Sequence, residues 1–253
     1  MRLKELRFRA LSLMVVAAIV LIGGAAAQAQ SHEASAPANG FSATLGDKVI
    51  ALPAPDGFEE VASQFERMKT LFAASEPQEN DLVAVYMPVS DIDLLKKGQA
   101  PAYKKYMKVS VIRATRSFAA LPSDFAGFVD YVRKNNATIF KPNTGKIDEV
   151  LAQVDQAMSK ELSKDISVKY TQNTNLGDFD NRPNVYSNLL LMFFKTQTEG
   201  KEITTPVLAS LNLLHIKQRV IMVFAYKRYE AKADTDELKQ FTTKWINQIL
   251  AAN

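Results

Sequence analysis

The sequence predicts an α+β fold: an α/β/α sandwich in which a largely antiparallel sheet is covered by amphipathic helices. Three observations carry this. Residues 184–226 read as consecutive strands with apolar side chains on both faces, so both faces are buried. Several flanking segments have a single apolar stripe at helical spacing. Toward the C-terminus strands follow strands, which disfavours a doubly wound βαβ arrangement.

Residues 1–29 are set apart before any fold argument. Arg2, Lys4, Arg7 and Arg9 form a basic start, residues 11–22 carry no charge, and small residues follow with cleavage patterns ending at Ala27 or Ala29. This is the layout of a secretory signal peptide, and it predicts a periplasmic or secreted protein. The alternative is an uncleaved anchor over residues 10–27, which is nearly long enough to span a bilayer. Residues 30–44 are expected as a flexible tether and 45–253 as one globular domain.

Within that domain a short strand at 48–52 runs into the turn Pro53-Ala54-Pro55-Asp56-Gly57. Phe58, Val61, Phe65, Met68, Leu71 and Phe72 then recur at three- and four-residue steps and predict a helix that Pro77 ends. A strand is expected at 81–87, a short helix at 90–97 closed by Gly98, and a strand at 106–115. A helix opens after Pro122 with Ser123 as N-cap, and another covers 146–163 with Ile147, Val150, Leu151, Val154 and Met158 on one face. Residues 166–171 alternate as a half-exposed strand, and 172–184 read as a polar loop.

The core strands follow. In 185–195, Val185, Leu189, Leu191 and Phe193 oppose Tyr186, Leu190, Met192 and Phe194. In 204–214, Val207, Ala209, Leu211 and Leu213 oppose the more polar set Leu208, Ser210, Asn212 and Leu214. In 219–226, Val220, Met222, Phe224 and Tyr226 oppose Ile221, Val223 and Ala225. A closing helix has Leu238, Phe241, Trp245 and Ile249 as its buried stripe, with Asp234 and Glu237 expected to cap its start.

Composition removes some function classes. Four of the 31 basic and one of the 27 acidic side chains lie in 1–29, so the remaining chain carries 27 against 26 and is close to neutral. A global electrostatic case for nucleic-acid binding disappears. The sequence has no cysteine, and the 224 residues after Ala29 suffice for a core without disulfides.

No catalytic residue, metal ligand or cofactor is expected. The chain has two histidines, His32 in the tether and His215 at a strand end, and no G-x-S-x-G elbow to accompany them. His32-Glu33 lacks the second histidine of a zinc motif. An EF-hand counted from Asp178 fails, because Pro183 and Leu189 stand where glycine and the bidentate glutamate are needed; Asp178-Phe179-Asp180-Asn181 reads as a turn. Gly200-Lys201 lacks the rest of a phosphate loop, and Asn136-Ala137-Thr138 is a formal glycosylation sequon.

One stretch is compositionally unusual. Lys96, Lys97, Lys104, Lys105, Lys108, Arg113 and Arg116 occur without an intervening acid, with Tyr103 and Tyr106 among them. Nine acidic residues precede them between Asp56 and Asp93. The basic stretch is either a patch for an anionic partner or the spatial complement of the acidic one.

Val49-Ile50-Ala51-Leu52-Pro53, Gly57-Phe58, the strand at 219–226 and the Trp245 helix together resemble small secreted bacterial proteins with a PsbP-like α/β/α sandwich. That resemblance implies an accessory or protein-binding role and carries no functional residue with it. The helices at 123–135 and 146–163 are longer than a minimal sandwich needs. The expectation is therefore an exported, non-enzymatic interaction protein whose partner is an envelope protein or anionic component, with no nucleic acid and with membrane contact only through the segment 1–29. The alternatives are a small-molecule carrier, with a pocket lined by Phe193, Tyr226 and Trp245, and a hydrolase working through carboxylates.

Overall fold

The computed structural model describes residues 40–139, 141, 145–162 and 165–253. Residues 1–29, expected to direct export, and His32 and residues 30–39 of the expected tether lie outside the described residues. The elements run β1 (Phe41–Leu45), β2 (Lys48–Leu52), β3 (Phe58–Glu60), α1 (Glu66–Ala74), β4 (Asn80–Pro88), α2 (Val89–Lys96), β5 (Lys105–Ile112), α3 (Pro122–Ile139), α4 (Gly145–Leu162), β6 (Ile166–Asp180), β7 (Val185–Thr198), β8 (Lys201–Ile216), β9 (Arg219–Arg228) and α5 (Ala233–Ala251).

Seven strands form one sheet in the order β3-β4-β5-β9-β8-β7-β6, and every neighbouring pair is antiparallel. Two meanders, β3–β5 and β6–β9, meet where β5 pairs with β9, and the chain crosses between them through α3 and α4. Side chains alternate across the pleat, so each strand serves two cores. Tyr106, Met222, Phe224, Leu190 and Leu211 lie under α1–α4, while Val109, Val223, Ala225, Leu189 and Leu208 lie under α5 and the β1–β2 hairpin. The α/β/α sandwich is thus what the chain builds.

Polar anchors hold the second layer down. Trp245 of α5 is fully buried, packs edge-on against Tyr86 at 5.3 Å and donates from Nε1 to the Pro53 carbonyl at 2.8 Å. The Tyr86 hydroxyl donates to the Leu52 carbonyl at 2.6 Å. Arg219, also buried, donates to the carbonyls of Leu45, Phe118 and Gln218 and pairs with Asp47 in the hairpin turn. Gly46 in that turn has φ +62°, and a Cβ there would stand 2.9 Å from the Ser117 Cα, so only glycine fits.

Seven expectations need correction. Residues 41–44, expected as the end of a tether, belong to β1 and pair with β2 in full register. The helix expected from Phe58 is two elements: β3 pairs with β4, and the helix starts only at Glu66. The helical spacing of Phe58 and Val61 arises because a strand end and a turn also send these residues inward. The strand expected to reach Thr115 stops at Ile112, where a single 3-10 turn over Arg113–Thr115 follows.

The polar loop at 172–184 is mostly strand: β6 continues to Asp180 along β7, with irregularities near Tyr170, Asn175 and Asp178. As an edge strand with exposed outer residues it shows no buried alternation, and its bulges shift the period. The turn expected at residues 178–181 is therefore largely strand. At the helix starts, Ser123 is not the cap; Pro122 opens α3, and the Asp124 carboxylate accepts from the Leu121 N–H at 3.0 Å. Asp234 accepts from the Glu230 and Ala231 N–H groups at 2.7 Å each, whereas Glu237 faces Lys227 and Lys105 instead of capping.

Candidate functional site

The basic stretch does not gather into one surface. Lys96 and Lys97 are exposed at the end of α2, and Lys104 is exposed before β5. Tyr103, with φ +48°, is half-buried and points its hydroxyl at the Met68 sulfur, 3.6 Å away. Lys105 lies 3.5 Å from the Phe241 ring centroid and 3.5 Å from Glu237; burial lowers its pKa against the pull of that carboxylate. Tyr106 and Lys108 are interior, each 1% exposed, because β5 alternation turns them under α1.

Lys108 is spent on an ion pair. Its Nζ is 2.7 Å from Glu76, which is 5% exposed and also accepts from the Ser110 hydroxyl at 2.7 Å. Tyr106 stacks on Tyr226 at 4.7 Å, and burial raises both phenol pKa values well above the ordinary one. Arg113 and Arg116 reach the same carboxylate, Asp81, at 2.8 and 3.5 Å. The basic and acidic stretches are therefore spatial complements at these three positions. Within the expected patch, Arg113 and Arg116 are brought together on one carboxylate.

Those two arginines stand at the rim of a cleft of about 670 Å³. One wall is β4 at Asn80, Asp81, Leu82 and Val83; α1 supplies Glu66, Lys69 and Ala73; Phe41 of β1, Gln153 of α4 and the segments flanking α1 also line it. The cleft exists because β3 is short. Its three residues pair only with Tyr86, Met87 and Pro88, and after the Val61 N–H bonds the Val85 carbonyl at 2.8 Å the chain turns off toward α1. Among the described residues no strand pairs with the outer edge of β4 over residues 80–84.

Charge is graded along this edge. At the β3 end stand Glu60 and Glu66, at the Asn80 end Arg113 and Arg116. Glu60 is a structural carboxylate: its oxygens accept from the N–H groups of Ala62 and Ser63 at 2.9 Å and of Val85 at 3.2 Å. Glu76 at the floor is held by Lys108, and Asn80 donates to it at 3.4 Å. The Asn80 side-chain oxygen, in a residue 4% exposed, has no hydrogen-bond partner. The buried carboxylates Glu60 and Glu76 of the cleft are thus committed to holding its walls.

The other candidates resolve as structure. Tyr226 and Trp245 lie in opposite cores on the two faces of the sheet, and Phe193 is half-buried outside both, so the three cannot line one pocket. His215 is half-buried in β8, stacked on Phe125 at 5.5 Å with Nε2 2.8 Å from the Ala120 carbonyl. Asp178 accepts from Tyr186, Asn188 and Arg133 at 2.9, 2.9 and 3.0 Å. Asn136 of the sequon is buried and accepts from Asn175 at 3.0 Å, so the folded chain offers no glycan acceptor there. Among the described residues no group of three or more His, Asp or Glu side chains could hold a metal ion.

Sequence reasoning missed Asn80, Glu60 and Phe41, which come from separate strands, Phe41 from the β1–β2 hairpin and the other two from the seven-stranded sheet, and meet only at the cleft. The readable signal is the polar pair Asn80-Asp81 at the start of an otherwise apolar strand.

No family model and no curated protein matches the chain. Among solved structures it is similar to the Ran-binding protein Mog1p of Saccharomyces cerevisiae, at 12% identity over 85% of this chain and 92% of that chain, with a TM-score of 0.34. A point mutant of Mog1 is similar at 13% identity over the same shares, with a TM-score of 0.35. At that identity and TM-score the likeness carries no functional argument, and the PsbP-like resemblance rests on the order of elements alone.

Proposed function

We propose that the chain is an exported, non-enzymatic interaction module that docks an envelope protein in the cleft along β4. One observation carries this reading: the cleft wall is a strand edge without a partner strand, while the buried carboxylates around it are already consumed by internal bonds. Backbone N–H and C=O groups along such an edge are ready to pair with another chain. The basic and apolar segment in residues 1–29 supports the export assignment.

Cross-linking in cells tests it. A photoreactive residue replacing Lys69, exposed on the cleft side of α1, is compared with one replacing Gln240, exposed on α5 over the opposite face. One protein partner captured from position 69 and not from position 240 is the expected result. Equal capture from both positions, or none, contradicts the assignment.

A further inference from the structure

The geometry points to strand addition: the cleft takes an extended peptide segment of the partner, antiparallel to β4, with an acidic side chain near the segment's C-terminal end. This rests on the interaction reading above and specifies its chemistry. β3 already runs antiparallel to β4, and its register descends from Phe58 opposite Pro88 to Glu60 opposite Tyr86. A peptide laid along β4 residues 80–84 continues that line where the chain itself turns away. Residues 81–84, roughly 14 Å of strand, have no partner strand on that side and contain one irregularity between Leu82 and Ala84; Asn80 is already bonded, its N–H to the Pro77 carbonyl at 2.9 Å and its carbonyl to Arg113 at 3.3 Å.

Electrostatics select the direction. In the antiparallel orientation the peptide enters beside Glu60 and Glu66 and leaves beside Arg113 and Arg116. Both guanidinium groups reach the Asp81 carboxylate, and each also donates to one carbonyl, Arg113 to Asn80 and Arg116 to Thr44. Both remain substantially exposed. An arginine pair presents forked donors suited to a carboxylate, so an acidic side chain near the end of the segment completes the cluster. Leu82, Val83 and Phe41 supply apolar contacts between the charged ends.

The test uses short random peptides displayed between flanking linkers, so that a carboxylate can come only from a side chain. They are selected against the whole chain carrying the photoreactive residue at position 69. The expected binder has an acidic residue in its C-terminal half. Backbone N-methylation at every second residue weakens it by about tenfold or more in one parity and little in the other, because alternate N–H groups face the ladder. Changing the acidic residue of the peptide to its amide costs about tenfold or more, and the loss vanishes in a variant carrying Arg113→Gln and Arg116→Gln.

A peptide that cross-links at position 69 but shows no parity overturns strand addition and leaves the interaction reading standing. Binders without an acidic residue overturn the charge assignment. A selection that yields no cleft-bound peptide also overturns strand addition, whereas the interaction reading falls only if the cellular cross-link at position 69 fails.

Discussion

Lys108 shows how a residue's place in the pleat outweighs its chemical type. Read along the chain it belongs to a basic run; in the fold it is buried against Glu76. Removing one partner leaves the other charge uncompensated, so Lys108→Met is expected to cost about 3–5 kcal/mol. Adding Glu76→Gln should restore most of that, read as the coupling in a double-mutant cycle of urea unfolding. A Lys108→Glu variant of wild-type stability would contradict the pairing. Asp155 offers a second check. Its carboxylate accepts from the Val168 N–H at 2.8 Å, yet burial raises its pKa from 3.8 to about 6. Between those values the folded state holds the proton more tightly than the unfolded one, so this contribution to stability is full below pH 3.8 and is lost as pH rises through about 6. Asp155→Asn should therefore stabilise at pH 8 by about 1 kcal/mol after solvent screening and be neutral at pH 3.5. A gain at both pH values would point to packing instead of charge.

At the scale of elements, the legible parts were those with one clear period. Strands β7, β8 and β9 and helix α5 could be read because their apolar residues face a single kind of neighbour. β6 was half legible: its first residues alternate, but beyond Tyr170 its outer edge is exposed and bulges break the register. β3 was hidden because three residues carry no period at all. The tight turn between β8 and β9 yields a prediction of its own. Lys217 and Gln218 both have positive φ, at 47° and 62°, where the hairpin geometry favours glycine. Lys217 also donates to the Val49 carbonyl at 3.0 Å, so it is best left in place. Gln218→Gly should stabilise by about 1 kcal/mol, seen as a higher midpoint in thermal unfolding. An unchanged or lowered midpoint would mean that the turn carries no such strain.

Across the whole molecule, the architecture was readable and the cleft was not. Apolar residues on both faces of 185–226 require a covered sheet, and the stripes of α4 and α5 supply covers for the two faces. The cleft depends on where β3 ends relative to β4 and on which residues β1, α1 and α4 bring alongside. Strand order sets that, and it leaves no trace in local periodicity. The sheet has two edges, and they differ. β6 is long, irregular at three places and flanked by exposed polar residues, whereas β4 over residues 80–84 is short, recessed and walled by α1, with one irregularity between Leu82 and Ala84. A long exposed edge with repeated bulges resists pairing, and a recessed one admits only a segment that fits. The most direct measurement is amide hydrogen exchange on the whole chain with and without the captured partner. The account predicts slowed exchange at β4 residues 80–84 with β6 unchanged; slowing confined to β6, or none at either edge, would contradict it.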